Sequence, residues 1–362
     1  MTLRDEGFVE EVTCLMIHNR IDEAILKMDG LSSQLYRQLL NAEQRRTYDL
    51  VVDAMKHPET DYDVPPIDPD RYYDLLAAVR YDHPYLFALT AYHALSGGRV
   101  VTIEFRYSCD IHTIRRLQSG VLQSVLSYRS SADIDPIDSK VRVFQKIWHQ
   151  FCKSTHWSKI DPVRYGPEVQ DLVENTMVGP FLYQSGVCGG LSYAFCALLQ
   201  AYGFPSCVAV GKSLDSTDSL HAWNIVQIAP GIRGHIDVQN AFYSERTNCL
   251  YSRYHGFLIS DESMSRKYNM EAHPKCVGAA PYYFEMLNRY VITEEDVYRA
   301  LSHSKGLQSI DLMIEPRRGS TNWILEVLQE CALEFDLRDY TFNDSNSIIT
   351  IKIGESNEDR CN

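Results

Sequence analysis

Gly186-Val187-Cys188-Gly189-Gly190-Leu191-Ser192-Tyr193-Ala194-Phe195-Cys196-Ala197-Leu198-Leu199-Gln200-Ala201-Tyr202-Gly203 is the stretch on which the reading of this chain turns. From Leu191 to Tyr202 apolar residues recur at helical spacing. Gly203 and Pro205 then supply the stop, a residue suited to the position after the helix and one that cannot continue it. Cys188 therefore falls at or just before a helix N-terminus, where the partial positive charge favours a thiolate over a thiol. The flanking glycines let the backbone turn sharply and let a substrate carbonyl approach the sulfur. A cysteine nucleophile needs all three. The same residues also read as a small apolar side chain packed at a helix start, and the segment alone leaves both readings standing.

Two strands follow. Phe204 to Gly211 is the first, and a polar loop, Lys212 to Ser219, leads into His221-Ala222-Trp223-Asn224-Ile225-Val226-Gln227-Ile228. Pro230-Gly231 marks a turn, and His235-Ile236-Asp237-Val238 returns as the other arm of a hairpin. His221 and Asp237 are sixteen residues apart, so a turn centred near 229–230 places them nearly opposite each other; a two-residue slip leaves them diagonal neighbours. On one face, Asp237 would orient the imidazole and stabilise its charged form, completing a nucleophile–base–orienter set whose order along the chain is free. Each residue alone has a plainer reading: a structural histidine at a strand start, an aspartate that caps a turn. The joint arrangement favours the catalytic one.

Gly186-Val187-Cys188 with Tyr193-Ala194-Phe195, then His221-Ala222-Trp223-Asn224, then Ile236-Asp237-Val238, resembles the bacterial transglutaminase-like core domain. That family places its cysteine in a Gly-Val-Cys context, its histidine in His-Ala-Trp-Asn and its aspartate in Val-Asp-Val-Thr. The match covers about residues 140–260. Asp82-His83-Pro84-Tyr85-Leu86-Phe87 and Tyr254-His255-Gly256-Phe257-Leu258-Ile259-Ser260-Asp261 are similar to segments flanking the family's core. The resemblance implies an α+β fold with a papain-like transglutaminase core, in which the cysteine helix packs on an antiparallel sheet bearing His and Asp. It implies Cys188, His221 and Asp237 as a catalytic triad working through a thioester, without metal or other cofactor. The chain departs from the pattern at Gln239, where the family usually has threonine, and no tryptophan follows; Gln239 or Asn240 is expected to replace that hydrogen bond. Trp223 is expected under or beside the triad or as a core aromatic. The Cys188 backbone N–H is a natural oxyanion donor, with Gln184 as a second candidate beside its plainer reading as a surface residue. Trp148 and Trp157 are candidates for lining the site or for the core.

Composition sets the outer bounds. The chain has 362 residues and is 45% apolar, enough for a large core in two domains or one elaborate one. Acidic side chains number 48 against 35 basic, a net charge of -13, and the densest basic clusters are the pairs Arg45-Arg46, Arg115-Arg116 and Arg317-Arg318. Such a surface repels phosphate backbones, so no nucleic-acid partner is expected. The ten cysteines are scattered without a C-x-x-C pair, against a structural zinc site and a disulfide framework. Met1 to Glu11 lacks the pattern of a secretory signal, and no apolar run approaches the roughly 18–20 residues that span a bilayer. A cytoplasmic protein without a membrane partner is expected, with Cys196, Cys207 and the other remaining thiols in the core.

Working outward, Phe8 to Ile17, Ile21 to Met28 and Leu31 to Met55 read as helices, and His57 to Pro69 as a linker or ordered loop. A helix is expected over Arg71 to Val79, strands over Leu86 to Ala94 and Val100 to Tyr107, and helices over Asp110 to Tyr128 and Ser139 to Lys153. A helix over Asn322 to Phe335 and a strand over Ser347 to Ile353 close the chain, before nine polar residues expected to be disordered. The expected organisation is a helical N-terminal region (1–60), an α/β segment (70–135), the catalytic core (140–270) and a C-terminal α/β extension (280–353). The expected function is cysteine-dependent acyl transfer on a protein or peptide substrate, as protease, amidase or crosslinking transamidase, with hydrolysis slightly favoured. The alternative is a non-catalytic protein-binding module that keeps the fold.

Overall fold

The computed structural model describes residues 2–135, 137–158, 167–215, 219–243, 254, 256–304, 306–315, 322–343 and 347–354. The chain is a mixed α+β protein. Its centre is the helix Cys188–Ala201, in which Leu191, Ala194, Phe195, Leu198 and Leu199 have no exposed surface. Apolar residues on every side mark a helix enclosed by other elements rather than one at a surface. Trp148 and Phe151 of the helix Lys140–Ser154 pack their rings on Phe195. Burying an aromatic of this size stabilises the fold by roughly 2–3 kcal/mol.

A five-stranded antiparallel sheet lies beside this helix, in the order Tyr268–Met270, Ser206–Ser213, Leu220–Ala229, Ile232–Ile236, Phe257–Ile259. Alternation along the strands sorts its two faces. Val208 and Ala222 pack with Cys196 of the central helix, whereas Cys207, Ala209, Trp223 and Ile225 join the core formed with the helices Ala42–Lys56 and Pro69–Asp82. Asn224, fully buried in the middle strand, donates its side-chain amide to the Ser192 carbonyl at 2.8 Å. At the other end of the helix, Gln200 donates to the carbonyls of Asp82 and Ser206 at 2.8 and 3.0 Å.

The N-terminal expectations are corrected in two places. Leu31 to Met55 is not one helix: the α-helix begins only at Ala42, after a single 3-10 turn at Arg37–Leu39. Asn41 and Gln44 form a reciprocal capping box, which satisfies first-turn N–H groups and fixes that start. The preceding loop is held by the buried Asp82 carboxylate, which accepts N–H bonds from Tyr36 and Arg37 and the Tyr48 hydroxyl at 2.8–3.2 Å. The stretch 57–69 contains the strand Tyr62–Ile67, on the edge of a three-stranded sheet with Arg99–Tyr107 and Leu89–Ser96. Pro65 and Pro66 are tolerated there because the edge leaves their missing donors unneeded, and the register shifts between Asp63 and Ile67. The strand expected from Leu86 starts at Leu89, because Ala88 has a left-handed backbone (φ 68°).

The C-terminal part builds its own four-stranded sheet, with the helices Glu294–Ser302 and Trp323–Cys331 around Val297, Leu301, Leu312, Ile324 and Leu328. The last helix is shorter than its apolar pattern. Tyr254 donates to Asp311 of this sheet at 2.7 Å. The expected disorder of the last nine residues concerns positions almost all outside the described ones, as do Arg317-Arg318, Cys249 and Cys361.

The glycines around Cys188 are required for packing rather than for turning. None of Gly186, Gly189 and Gly190 has a positive φ. A Cβ at Gly190 would lie 2.4 Å from the Glu174 carbonyl oxygen and 3.0 Å from that of Thr176, both backbone atoms. The first turn of the cysteine helix therefore rests directly on the end of the helix Pro167–Asn175. Gly190→Ala is expected to cost about 2 kcal/mol, read as a lower urea midpoint with an unchanged slope.

Candidate active site

Cys188 is the first residue of its helix, and the N-cap, Val187, has no side-chain hydrogen bond to the first turn. The capping position thus offers the leading N–H groups no partner, at the end of the helix that favours negative charge. The groups that act on the Cys188 sulfur electrostatically are the His221 side chain and the backbone N–H groups of Ala222, on the neighbouring strand, and of Gly189. His221 gives its Nε2 to Asp237 Oδ2 at 2.9 Å, which leaves Nδ1 for the thiol. Of the three residues expected as a triad, His221 and Asp237 are hydrogen-bonded to each other, and His221 acts electrostatically on the Cys188 thiol.

The placement of Asp237 differs from the expected one. The strands pair Asn224 with Ile236, around a Pro230-Gly231 turn and an irregularity between Gln227 and Ala229. His221 and Asp237 are therefore diagonal rather than nearly opposite, and Asp237 sits just past the strand end, before the helix Val238–Tyr243. Its two oxygens divide their roles. Oδ1 accepts the Asn240 backbone N–H at 3.3 Å, a capping bond, and Oδ2 accepts His221, the Asn240 side-chain amide at 2.5 Å and the Tyr268 hydroxyl at 3.4 Å. The capping and orienting readings of Asp237 both hold in the geometry. Of the two residues considered beside it, Asn240 makes the bond and Gln239 does not.

Burial raises the Cys188 thiol, but the hydrogen bond and charge of His221, with the N–H groups of Ala222 and Gly189, outweigh it and hold the thiol below its ordinary range. Burial likewise depresses His221. Asp237 and Cys188 overcome that and raise it to about 10. Both shifts favour a thiolate–imidazolium pair at neutral pH.

Tyr268 was not signalled by the sequence. It enters from the far edge of the sheet, and its ring stacks on His221 (centroids 5.0 Å, planes at 17°) and on Trp223 (5.1 Å, 27°). Trp223, fully buried, also stacks beside His221 at 6.1 Å, so it is both core aromatic and neighbour of the site. No local pattern announces Tyr268; only the pairing of its strand with Ser206–Ser213 brings it there.

Gln184 is exposed, closing the short helix Val178–Tyr183 in a left-handed conformation (φ 56°). Trp148 is fully buried in the core, and Trp157 packs half-buried against that core. Cys196 and Cys207 are buried as expected, whereas Cys14 is exposed near a helix end.

No family model matches the sequence, and no curated protein matches it either. Among solved structures, a TGase is similar at 13% identity and a TM-score of 0.26, over 48% of each chain. A candidate cysteine protease from Cytophaga hutchinsonii is similar at 12% identity and a TM-score of 0.25, over 42% of this chain and 62% of that one. This chain thus spans about half of the first and under two thirds of the second. These scores are too low to place the chain in a family.

A cavity of about 570 Å³ has Arg80, Leu86, Phe87, Asn175, Thr176 and Tyr193 among its walls, and none of Cys188, His221 and Asp237 lines it. Among the described residues, one group has metal-ligating side chains close together, His235, Asp261 and His273. No helix among the described residues is long and apolar enough to cross a membrane.

The electrostatics give a direct expectation. Iodoacetamide at pH 6–7, with peptide mapping, is expected to label Cys188 ahead of the other thiols. In His221→Ala the effect of burial is left less opposed, so labelling at pH 7 is expected to fall at least about tenfold. A Cys188 that reacts no faster than an ordinary thiol would contradict the shift.

Proposed function

We propose that this chain is a cysteine-dependent acyl-transfer enzyme that opens amide or peptide carbonyls through a thioester, on a papain-like core of the transglutaminase type. The core is proposed to span residues 140–270, flanked by the regions 1–60, 70–135 and 280–353. The observation that carries the reading is the His221–Asp237 hydrogen bond, with His221 holding the Cys188 thiol below its ordinary range. A binding module that merely kept the fold has no use for such a thiol. The working enzyme needs a reduced cysteine, which fits a cytoplasmic setting.

The Cys188 thiolate attacks the carbonyl carbon, and the displaced electron pair on oxygen is met by the Cys188 backbone N–H at the helix start. His221 hands its proton to the leaving amine as the C–N bond breaks, and the acyl group remains on sulfur as a thioester. Neutral His221 then takes a proton from water or from a second amine as that group attacks, and the thiolate leaves. Asp237 keeps the imidazole oriented through both steps. Water as acceptor gives a protease or amidase, an amine gives a crosslinking transamidase, and the abundance of water favours hydrolysis.

Amine incorporation into a glutamine-donor peptide, run beside a peptide-release assay, separates the two acceptors. In whichever assay is positive, Asp237→Ala is expected to lower turnover on the order of 10²-fold. Cys188→Ser retaining wild-type turnover would sink the mechanism. Turnover is also expected to decline as pH rises through about 10, where His221 gives up the proton that the leaving group needs.

A further inference from the structure

On the same face of the sheet as His221 lies a second histidine–aspartate pair. Trp223 donates its indole N–H to His235 Nδ1 at 2.9 Å, and His235 Nε2 meets Asp261 Oδ1 at 2.8 Å. An indole nitrogen only donates, so His235 Nδ1 must be the unprotonated nitrogen and its proton must sit on Nε2, facing Asp261. His235 has no exposed surface, and burial drives it down to about 4, so it stays neutral in this one tautomer. Asp261 is itself fixed by the Cys276 backbone N–H, 3.1 Å from each oxygen, and by His273 Nε2 at 3.1 Å.

This tautomer argues against a metal at His235, Asp261 and His273. A cation bound at His235 Nε2 would move the proton to Nδ1, where it would face the Trp223 N–H donor to donor. The donor set does not fit a resident metal.

What the pair does fix is the indole. Gly211 is paired directly with His221, and a Cβ there would lie 2.8 Å from Trp223 Cη2 and from the Asn269 carbonyl oxygen. Trp223 thus reaches over a glycine to meet Tyr268, whose ring lies nearly parallel on His221 with its hydroxyl toward Asp237. An electron-rich phenol ring within 6 Å of an imidazolium favours the charged form.

We propose that His235 and Asp261 are positioning residues for the site: they lock the Trp223 indole, which seats the Tyr268 ring on His221 and so holds His221 toward Cys188 and Asp237. The proposal rests on Cys188 and His221 being the reactive pair. His235 touches no reacting atom; it acts through two aromatic rings.

The test is the pH profile of Cys188 alkylation by iodoacetamide in the full chain, with folding followed by urea melts. His235→Leu, which removes the acceptor for the indole, is expected to raise the midpoint by about one pH unit, about tenfold slower at pH 6. His235→Asn, which can still accept from Trp223, is expected to keep the wild-type midpoint. Tyr268→Leu is expected to shift it in the same direction, and the double variant H235L/Y268L no further than Tyr268→Leu alone, because the two act in series. A folded His235→Leu with an unchanged midpoint, or losses that simply add, would overturn the proposal. If His235→Leu does not fold, Trp223→Phe takes its place in the cycle and is judged by the same outcomes. Stoichiometric zinc binding that depends on His235 would also overturn it.

A wild-type Cys188 that reacts as an ordinary thiol sinks the acyl-transfer reading instead. The downfield proton resonance of the His221–Asp237 bond, assigned by its absence in Asp237→Ala, then reads the positioning by itself. Its loss or broadening in His235→Leu supports the proposal, and an unchanged resonance overturns it.

Discussion

The 2.8 Å hydrogen bond from the Asn224 amide to the Ser192 carbonyl fixes the central helix against the middle strand of the sheet. Both partners are buried, so an unmade bond would leave polar groups without water, at a cost of about 1–3 kcal/mol. The sheet offers no half-measures, since a one-residue slip of the strand turns every side chain to the other face. With Asn224 turned to the helix, His221 and Trp223 share the opposite alternation, and Ala222 brings its N–H to the sulfur. Cys188 and His221 can meet only while that alignment lasts.

Around this alignment the protein leaves little slack. Gly190 lets the cysteine helix settle against the carbonyls of Glu174 and Thr176, and Gly211 lets Trp223 and Tyr268 close over the strand beside His221. In both places the missing Cβ is occupied by another group's atoms. Such sites have no room to relax, which is how a fold holds neighbouring side chains in place through thermal motion. Asp237 shows the same economy of placement: one oxygen begins a helix while the other orients a histidine.

Much of the site was legible because its signals are local. A helix start marked by Val187-Cys188 and a stop at Gly203 need only the residues at hand, and the hairpin around Pro230-Gly231 announces itself by its turn. The errors have equally specific causes. A capping box at Asn41 and Gln44 overrode an apolar pattern that ran on from Leu31. A prolyl segment was read as a loop because its strand lies on an edge, where the usual objection to proline lapses. The diagonal offset of His221 and Asp237 came from the centre of the turn, which lies at Pro230-Gly231 and not nearer 229.

By itself the sequence determined the elements and where three polar side chains stand on them: a cysteine at a helix start, and a histidine and an aspartate on one hairpin. These follow from periodicity, turn residues and side-chain type, which act over a few neighbours. The tertiary structure alone decided which groups surround those side chains. Tyr268, Asn240 and the His235–Asp261 pair reach His221, Asp237 and Trp223 through strand pairing and packing between distant segments. Contacts of that kind depend on register and on the space a missing side chain leaves, and neither is written in any short stretch of residues.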